Sequence, residues 1–236
     1  MTKMPGGELA TRPLHFIWIC DCSGSMMADG KIQSLNTAIK EALPAMRTVA
    51  DENPNATVFV RALKFSSGAQ WVNINPSPVE DFMWYDLDAE GVTDMGKALS
   101  MVADELKIPP MTERALPPVL VLISDGQPTD DFAGGLDKLM KLAWGKKAVR
   151  ISIAIGSDAD TEVLQKFIGN SELKPLVATN AEALIKQIKW VSTAVLQTAS
   201  EGASKTKDQG QGSNVPIPMI PPDITNPSAN PGDLVW

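Results

Sequence analysis

The chain has 236 residues, 44% of them hydrophobic and 21% charged, which is enough apolar material for one sizeable core. Its net charge of -7, with Lys and Arg scattered, excludes non-specific nucleic-acid binding and disfavours an anionic membrane surface. Two cysteines in a C-x-C arrangement, Cys20 and Cys22, and one His15 exclude a disulfide scaffold and are too few for a zinc site.

In chain order, residues 1–11 read as an N-terminal extension. The first twenty residues lack a secretory leader's pattern, because their apolar part is short and late and follows Pro and Gly. No run approaches the length of a membrane span. The expectation is a cytoplasmic protein. "LHFIWIC" (14–20) is the first strand candidate. Ile32, Leu35, Ile39, Leu43 and Met46 then recur at three and four, a helical stripe that Pro44 should kink or interrupt. "TVFVRALKF" (57–65) is the second strand. "QWVNI" (70–74), reached by the short turn "SSGA", is too close for a parallel crossover and reads as an antiparallel edge. Phe82, Trp84 and Tyr85 follow; they either cover the core or offer an aromatic surface to a partner, and Trp84 is carried as a partner-contact candidate.

Met95, Leu99, Val102 and Leu106 form the second helical stripe. "PPVLVLIS" (117–124) and "VRISIAI" (149–155) are continuous apolar runs of the kind buried on both faces of a parallel sheet. Phe132, Leu136 and Leu139 form a weaker helical stripe between them. "PLVA" (175–178) is the last strand, and "TNAE" (179–182) reads as a capping box before the stripe Leu184, Ile188, Val191 and Val195. Strand and helix alternate, so the fold class is α/β: a mostly parallel sheet of about six strands with one antiparallel edge and helices on both faces. The pattern stops near residue 200. Residues 201–236 are Gly-rich and then Pro-rich. They read as a flexible tail, as a docking segment with Trp236 among its apolar contacts, or as a strap on their own domain.

Chemistry collects where strands end. Asp21, Ser23 and Ser25 alternate after the first strand, Thr93 stands in "GVTD" at a helix entrance, and Asp125 follows "VLVLIS". Ligands of an open parallel sheet bind beyond the carboxyl ends of its strands, so three loops can converge there. Taken singly, each of these residues is an ordinary turn or cap residue. Together they are two carboxylates and three hydroxyls, all hard oxygen donors, which suits Mg²⁺ or Mn²⁺. Asp94 stands beside the set, as a helix cap or a partner contact. Asp130 and Asp131 either extend the acidic face or favour a helix start. Enzyme readings do poorly. His15 lies at the opposite end of the first strand from Ser23, and neither a G-x-S-x-G elbow nor a P-loop occurs. A phosphohydrolase using Asp21 would normally carry a second acid where Ser23 stands. That reading, and a structural subunit assembling through its tail, remain as alternatives.

"DCSGSM" (21–26) resembles the D-x-S-x-S signature of the von Willebrand factor A domain, "GVTDMGKAL" (91–99) its threonine loop and "ISDGQPTDD" (123–131) its second aspartate loop. The resemblance covers residues 12–200 and implies a Rossmann-like fold with a metal-ion-dependent adhesion site (MIDAS). Ser23, Ser25 and Thr93 would ligate the metal directly, with Asp21 and Asp125 acting mainly through water. The sixth ligand would be an Asp or Glu of a partner protein. One departure is Val92, where many relatives have glycine. "FIWICDCSGSM", "KIQSLNTAIKEALPAM" and "LISDGQPTDD" resemble the bacterial tellurium-resistance-associated TerY-like group. That implies an adaptor in a stress-response or signalling system, with a protein kinase and a PP2C-type phosphatase as partners.

Overall fold

A computed structural model describes residues 11–201 and 217–225. The strands are β1 (Arg12–Asp21), β2 (Ala56–Ser66), β3 (Gly68–Trp71), β4 (Ser77–Pro78), β5 (Val119–Ser124), β6 (Val149–Ile155) and β7 (Leu176–Ala178). They form one sheet in the order β3-β2-β1-β5-β6-β7, with β4 also paired to β2. The pairs β1–β2, β1–β5, β5–β6 and β6–β7 are parallel, and β3 and β4 run antiparallel to β2. Every residue of β5 and β6 is buried, as continuous apolar runs require of central parallel strands.

Side chains of β1 alternate between two cores. Leu14, Phe16, Trp18 and Cys20 pack beneath α1 (Lys31–Asp51), α6 (Ala181–Trp190) and α7 (Leu196–Glu201), with a π-helical turn between α6 and α7. Ile17 and Ile19 face α2 (Met95–Glu105), α3 (Phe132–Met140), α4 (Ala143–Lys147) and α5 (Thr161–Ile168). Both cysteines are buried, free thiols, and burial pushes their pKa values up.

Several expectations shift. The edge strand begins earlier than 70–74, because Gly68, one residue beyond Ser67, takes φ 98 and pairs straight back with Ser66. Asn73 leaves the ladder; its side chain accepts from the Ala62 N–H at 2.9 Å and donates to the Val60 carbonyl at 3.3 Å. The two-residue β4 makes a seventh strand. Pro44 does not interrupt α1. Pro44 and Lys40, whose carbonyl loses its helical donor, are both exposed to water on the outer face. The helix cap after β7 is Asn180, not Thr179: its side chain accepts from the Ala183 N–H at 2.8 Å. Helix α5 was not expected; Leu164, Phe167 and Ile168 anchor it, and Asp160 caps it. Residues 217–225 return to the domain. Ile217 and Ile220 pack against the α1–α6 core, and Ile224 is buried in the short helix α8 (Pro222–Thr225). The side-chain amide of Gln187 donates to the Val177 carbonyl at 2.8 Å and the Ile224 carbonyl at 3.4 Å. Trp236 lies outside the described residues.

Candidate metal centre

The parallel register places Cys20 beside Ile123, so β1 and β5 end together with Asp21 next to Ser124. Asp21 is fully buried there. Its Oδ1 accepts from the Ser23 N–H at 2.8 Å and its Oδ2 from the Ser124 hydroxyl at 2.6 Å. Ser124 in turn accepts from the Gly126 N–H at 2.8 Å. The hydroxyls of Ser23 and Ser25 lie 3.0 Å apart, Ser23 buried and Ser25 open to solvent.

Backbone bonds lace the loops together. Gly24 N–H donates to the Gly91 carbonyl at 3.0 Å and Glu90 N–H to the Cys22 carbonyl at 2.7 Å, which brings the threonine loop against the serines. Thr93 N–H donates to the Thr129 hydroxyl at 3.0 Å, and the Thr129 N–H returns a bond to the Thr93 carbonyl at 2.9 Å. Thr93 is thereby held against the loop that follows Asp125. Gly126 sits at φ 77, and a Cβ there would come within 2.5 Å of the Asp160 carbonyl oxygen. That close approach lets the Asp160 N–H bond the Asp125 carbonyl at 2.6 Å.

The structure therefore brings all five predicted residues, Asp21, Ser23, Ser25, Thr93 and Asp125, to one end of the sheet. Asp125 is 5% exposed, and its Oδ1 is buried with no hydrogen-bond partner. An unpaired carboxylate oxygen in such a place costs free energy unless something positive meets it. Burial, opposed by the bonds from Ser124 and Ser23 and helped by the neighbouring Asp125 charge, raises the Asp21 pKa to about 6. Both features fit a hard cation. Among the described residues no three His, Cys, Asp or Glu side chains cluster as a metal site, so the donor set depends on its hydroxyls.

Other candidates fall elsewhere. Asp94 is buried, accepting from the Gly68 N–H at 2.8 Å and from the Thr129 side chain and pairing with Lys97; the Lys97 bond is the main cause that holds its pKa low. It ties the β2–β3 turn to α2. Trp84, carried as a partner contact, is buried instead; its indole N–H donates to the Asn36 side-chain oxygen at 3.0 Å. Asp130 caps α2, accepting from Gly96 and Lys97 N–H at 2.7 and 2.8 Å, and Asp131 caps α3 through Gly134. Ser124 and Thr129 join the site only in the folded chain. Ser124 was legible as the strand residue opposite Asp21, whereas nothing local marks Thr129.

A family description, von Willebrand factor type A domain, matches residues 17–189. The chain belongs to this family. No curated protein matches it. Among solved structures, the von Willebrand factor type A protein from Catenulispora acidiphila is 18% identical with a TM-score of 0.59, covering 80% of this chain and 43% of its own. The pilus adhesin SpaC from Lactobacillus rhamnosus GG is 14% identical with a TM-score of 0.63, covering 80% of this chain and 30% of its own. Proximal thread matrix protein 1 from the mussel byssus, with a zinc-occupied MIDAS motif, is 19% identical with a TM-score of 0.57, covering 82% of this chain and 49% of its own. This von Willebrand A domain thus spans less than half the length of each, and the likeness is one of fold. No helix among the described residues is long and apolar enough to cross a membrane.

Proposed function

We propose that this von Willebrand A domain is a metal-dependent protein-binding module. Ser23, Ser25 and Thr93 would contribute hydroxyl ligands, and Asp21 and Asp125 would hold the surrounding charge. The observation that carries the reading is the buried, unpartnered Oδ1 of Asp125 at the same sheet end as the bonded Asp21 and the paired serine hydroxyls. A bound divalent cation supplies positive charge and an open position for a partner's Asp or Glu. Hard oxygen donors favour Mg²⁺ or Mn²⁺; the zinc-occupied motif of the mussel protein makes zinc a third arm of any titration. The TerY-like resemblance supports an adaptor role, with a protein kinase and a PP2C-type phosphatase as the partners to try first.

A phosphoryl-accepting Asp21 is the weaker reading. Both its oxygens are engaged and its side chain is fully buried, so no oxygen is free to attack. The experiment is calorimetric titration of Mg²⁺, Mn²⁺ and Zn²⁺ into metal-free protein beside Ser23→Ala. It is followed by partner capture with and without chelator. Saturable binding and capture that both vanish in Ser23→Ala support the reading. Metal binding unchanged by the substitution refutes it.

A further inference from the structure

Residues 82–90, between β4 and α2, form neither helix nor strand, and buried and exposed side chains are interspersed along them. Phe82, Trp84 and Leu87 are buried. Met83 is 65% and Tyr85 64% exposed, Asp88 and Glu90 stand exposed after them, and Val92, 47% exposed, precedes the metal-site Thr93. Across the serine loop, Met27 is 64% exposed and Asp29 exposed beside it. Met83 and Tyr85, two positions apart, thus present two large apolar side chains to solvent beside the acids that follow them.

The segment is pinned along its length. Arg47 holds the Val79 and Phe82 carbonyls at 3.2 and 2.8 Å. Asn36 accepts from the Trp84 indole and the Leu87 N–H and donates to the Leu87 carbonyl. The Glu90 N–H binds the Cys22 carbonyl. A partner laid on it would not pay to order it. Its charge is mainly negative. Asp86 is paired with Lys40, but Asp88, Glu90 and Asp29 form no ion pair among the described residues. Of the cations, Lys31 faces Asp158, and the half-buried Lys64 lies within electrostatic reach of Cys22, as Asp88 does, without an ion pair among the described residues.

We infer that this strip is a docking track whose occupant is an extended, basic segment of a partner protein that ends on the metal-bound carboxylate. The inference rests on the proposed function and adds its partner chemistry. A carboxylate approaching alone is drawn by the cation and repelled by Asp88, Glu90 and Asp29. Lysine or arginine near that carboxylate cancels the repulsion, and apolar side chains further along cover Met83 and Tyr85. The nine steps from Met83 to Val92 span at most about 30 Å, so the partner segment needs about ten extended residues.

The test uses the full chain with Mn²⁺ and fluorescein-labelled twelve-residue peptides, in fluorescence anisotropy. One peptide carries a single glutamate, three lysines and two leucines, made in both chain directions. Its twins replace the glutamate by glutamine, or the lysines by serines. The lysine peptide should bind about tenfold tighter than the serine peptide, as two or three exposed ion pairs allow. The double variant Asp88→Asn/Glu90→Gln should shrink that ratio to within about twofold at saturating Mn²⁺, with the glutamate requirement retained. Met83→Ser/Tyr85→Ser should weaken both peptides by a common factor. Glutamate- and Mn²⁺-dependent binding with no lysine preference, or a preference unchanged in the double variant, overturns the track and leaves the metal site standing. No glutamate- or Mn²⁺-dependent binding by any peptide overturns the metal-dependent reading and the track with it.

Discussion

Replacing Asp21 by Asn should stabilise the metal-free protein near neutral pH, against the usual effect of altering a buried, doubly bonded residue. Asp21 is fully buried, and burial is the largest cause of its pKa rise from 3.8 to about 6. In the unfolded chain the group ionises near 3.8. Below that pH both states hold the proton and ionisation costs the fold nothing. Between 3.8 and 6 the folded state binds more protons, so stability falls as pH rises. Above 6 the whole cost is present. A difference of about 2.2 pKa units corresponds to about 3 kcal/mol. Asparagine keeps an oxygen for the Ser23 N–H and presents an amide to Ser124, so it removes the charge without emptying the site. In a chain of this size about 3 kcal/mol is about 6–12 °C in Tm. The assay is thermal unfolding with EDTA from pH 4 to 8. The variant should melt higher at pH 7.5, and the gap should close towards pH 4. Saturating Mg²⁺ should reverse the order, because the cation binds the native carboxylate far better than the amide. A variant that melts lower at pH 7.5 in EDTA, or a gap independent of pH, would refute the assignment of a buried ionised cost to Asp21.

Gly126→Ala should cost about 2–3 kcal/mol, from the left-handed φ of 77 and a Cβ 2.5 Å from the Asp160 oxygen, read by urea unfolding. It should also weaken metal binding in calorimetry, because relieving that contact moves Asp125. Thr129→Val removes the acceptor of the Thr93 N–H and should cost about 1 kcal/mol, with a parallel loss of metal affinity. Ile224→Ala should cost about 2 kcal/mol as a buried isoleucine in a docked strap. Hydrogen exchange should then speed up in β7 and α6 and stay unchanged at the metal site.

How much of this was legible follows the range of the interactions. The sheet was readable because β1, β5 and β6 are continuous apolar runs, and a strand buried on both faces has little other composition to choose from. The metal site was readable for a related reason: an open parallel sheet sends its strand ends to one edge, so Asp21, Thr93 and Asp125 meet although over a hundred positions separate the first from the last. Features fixed by one distant partner were not readable. Trp84, in a polar, acidic loop, stays open from sequence between covering the core and facing a partner. What buries it is Asn36 on α1, whose side chain bonds the Trp84 indole and both backbone groups of Leu87. Asp130 looks like a cap for the helix that follows it, yet it caps α2, because α2 and α3 meet backbone to backbone: a Cβ on Gly96 would lie 2.2 Å from the Asp131 carbonyl oxygen. The strap at Ile224 carries no periodicity, and its tie to α6, the Gln187 amide on the Ile224 carbonyl, exists only in the folded chain. These long-range ties set what the metal face offers. Asn36 holds Trp84 and Leu87 inward and Arg47 holds the Phe82 carbonyl, while Met83, Tyr85, Asp88 and Glu90 stand exposed on the approach to Thr93.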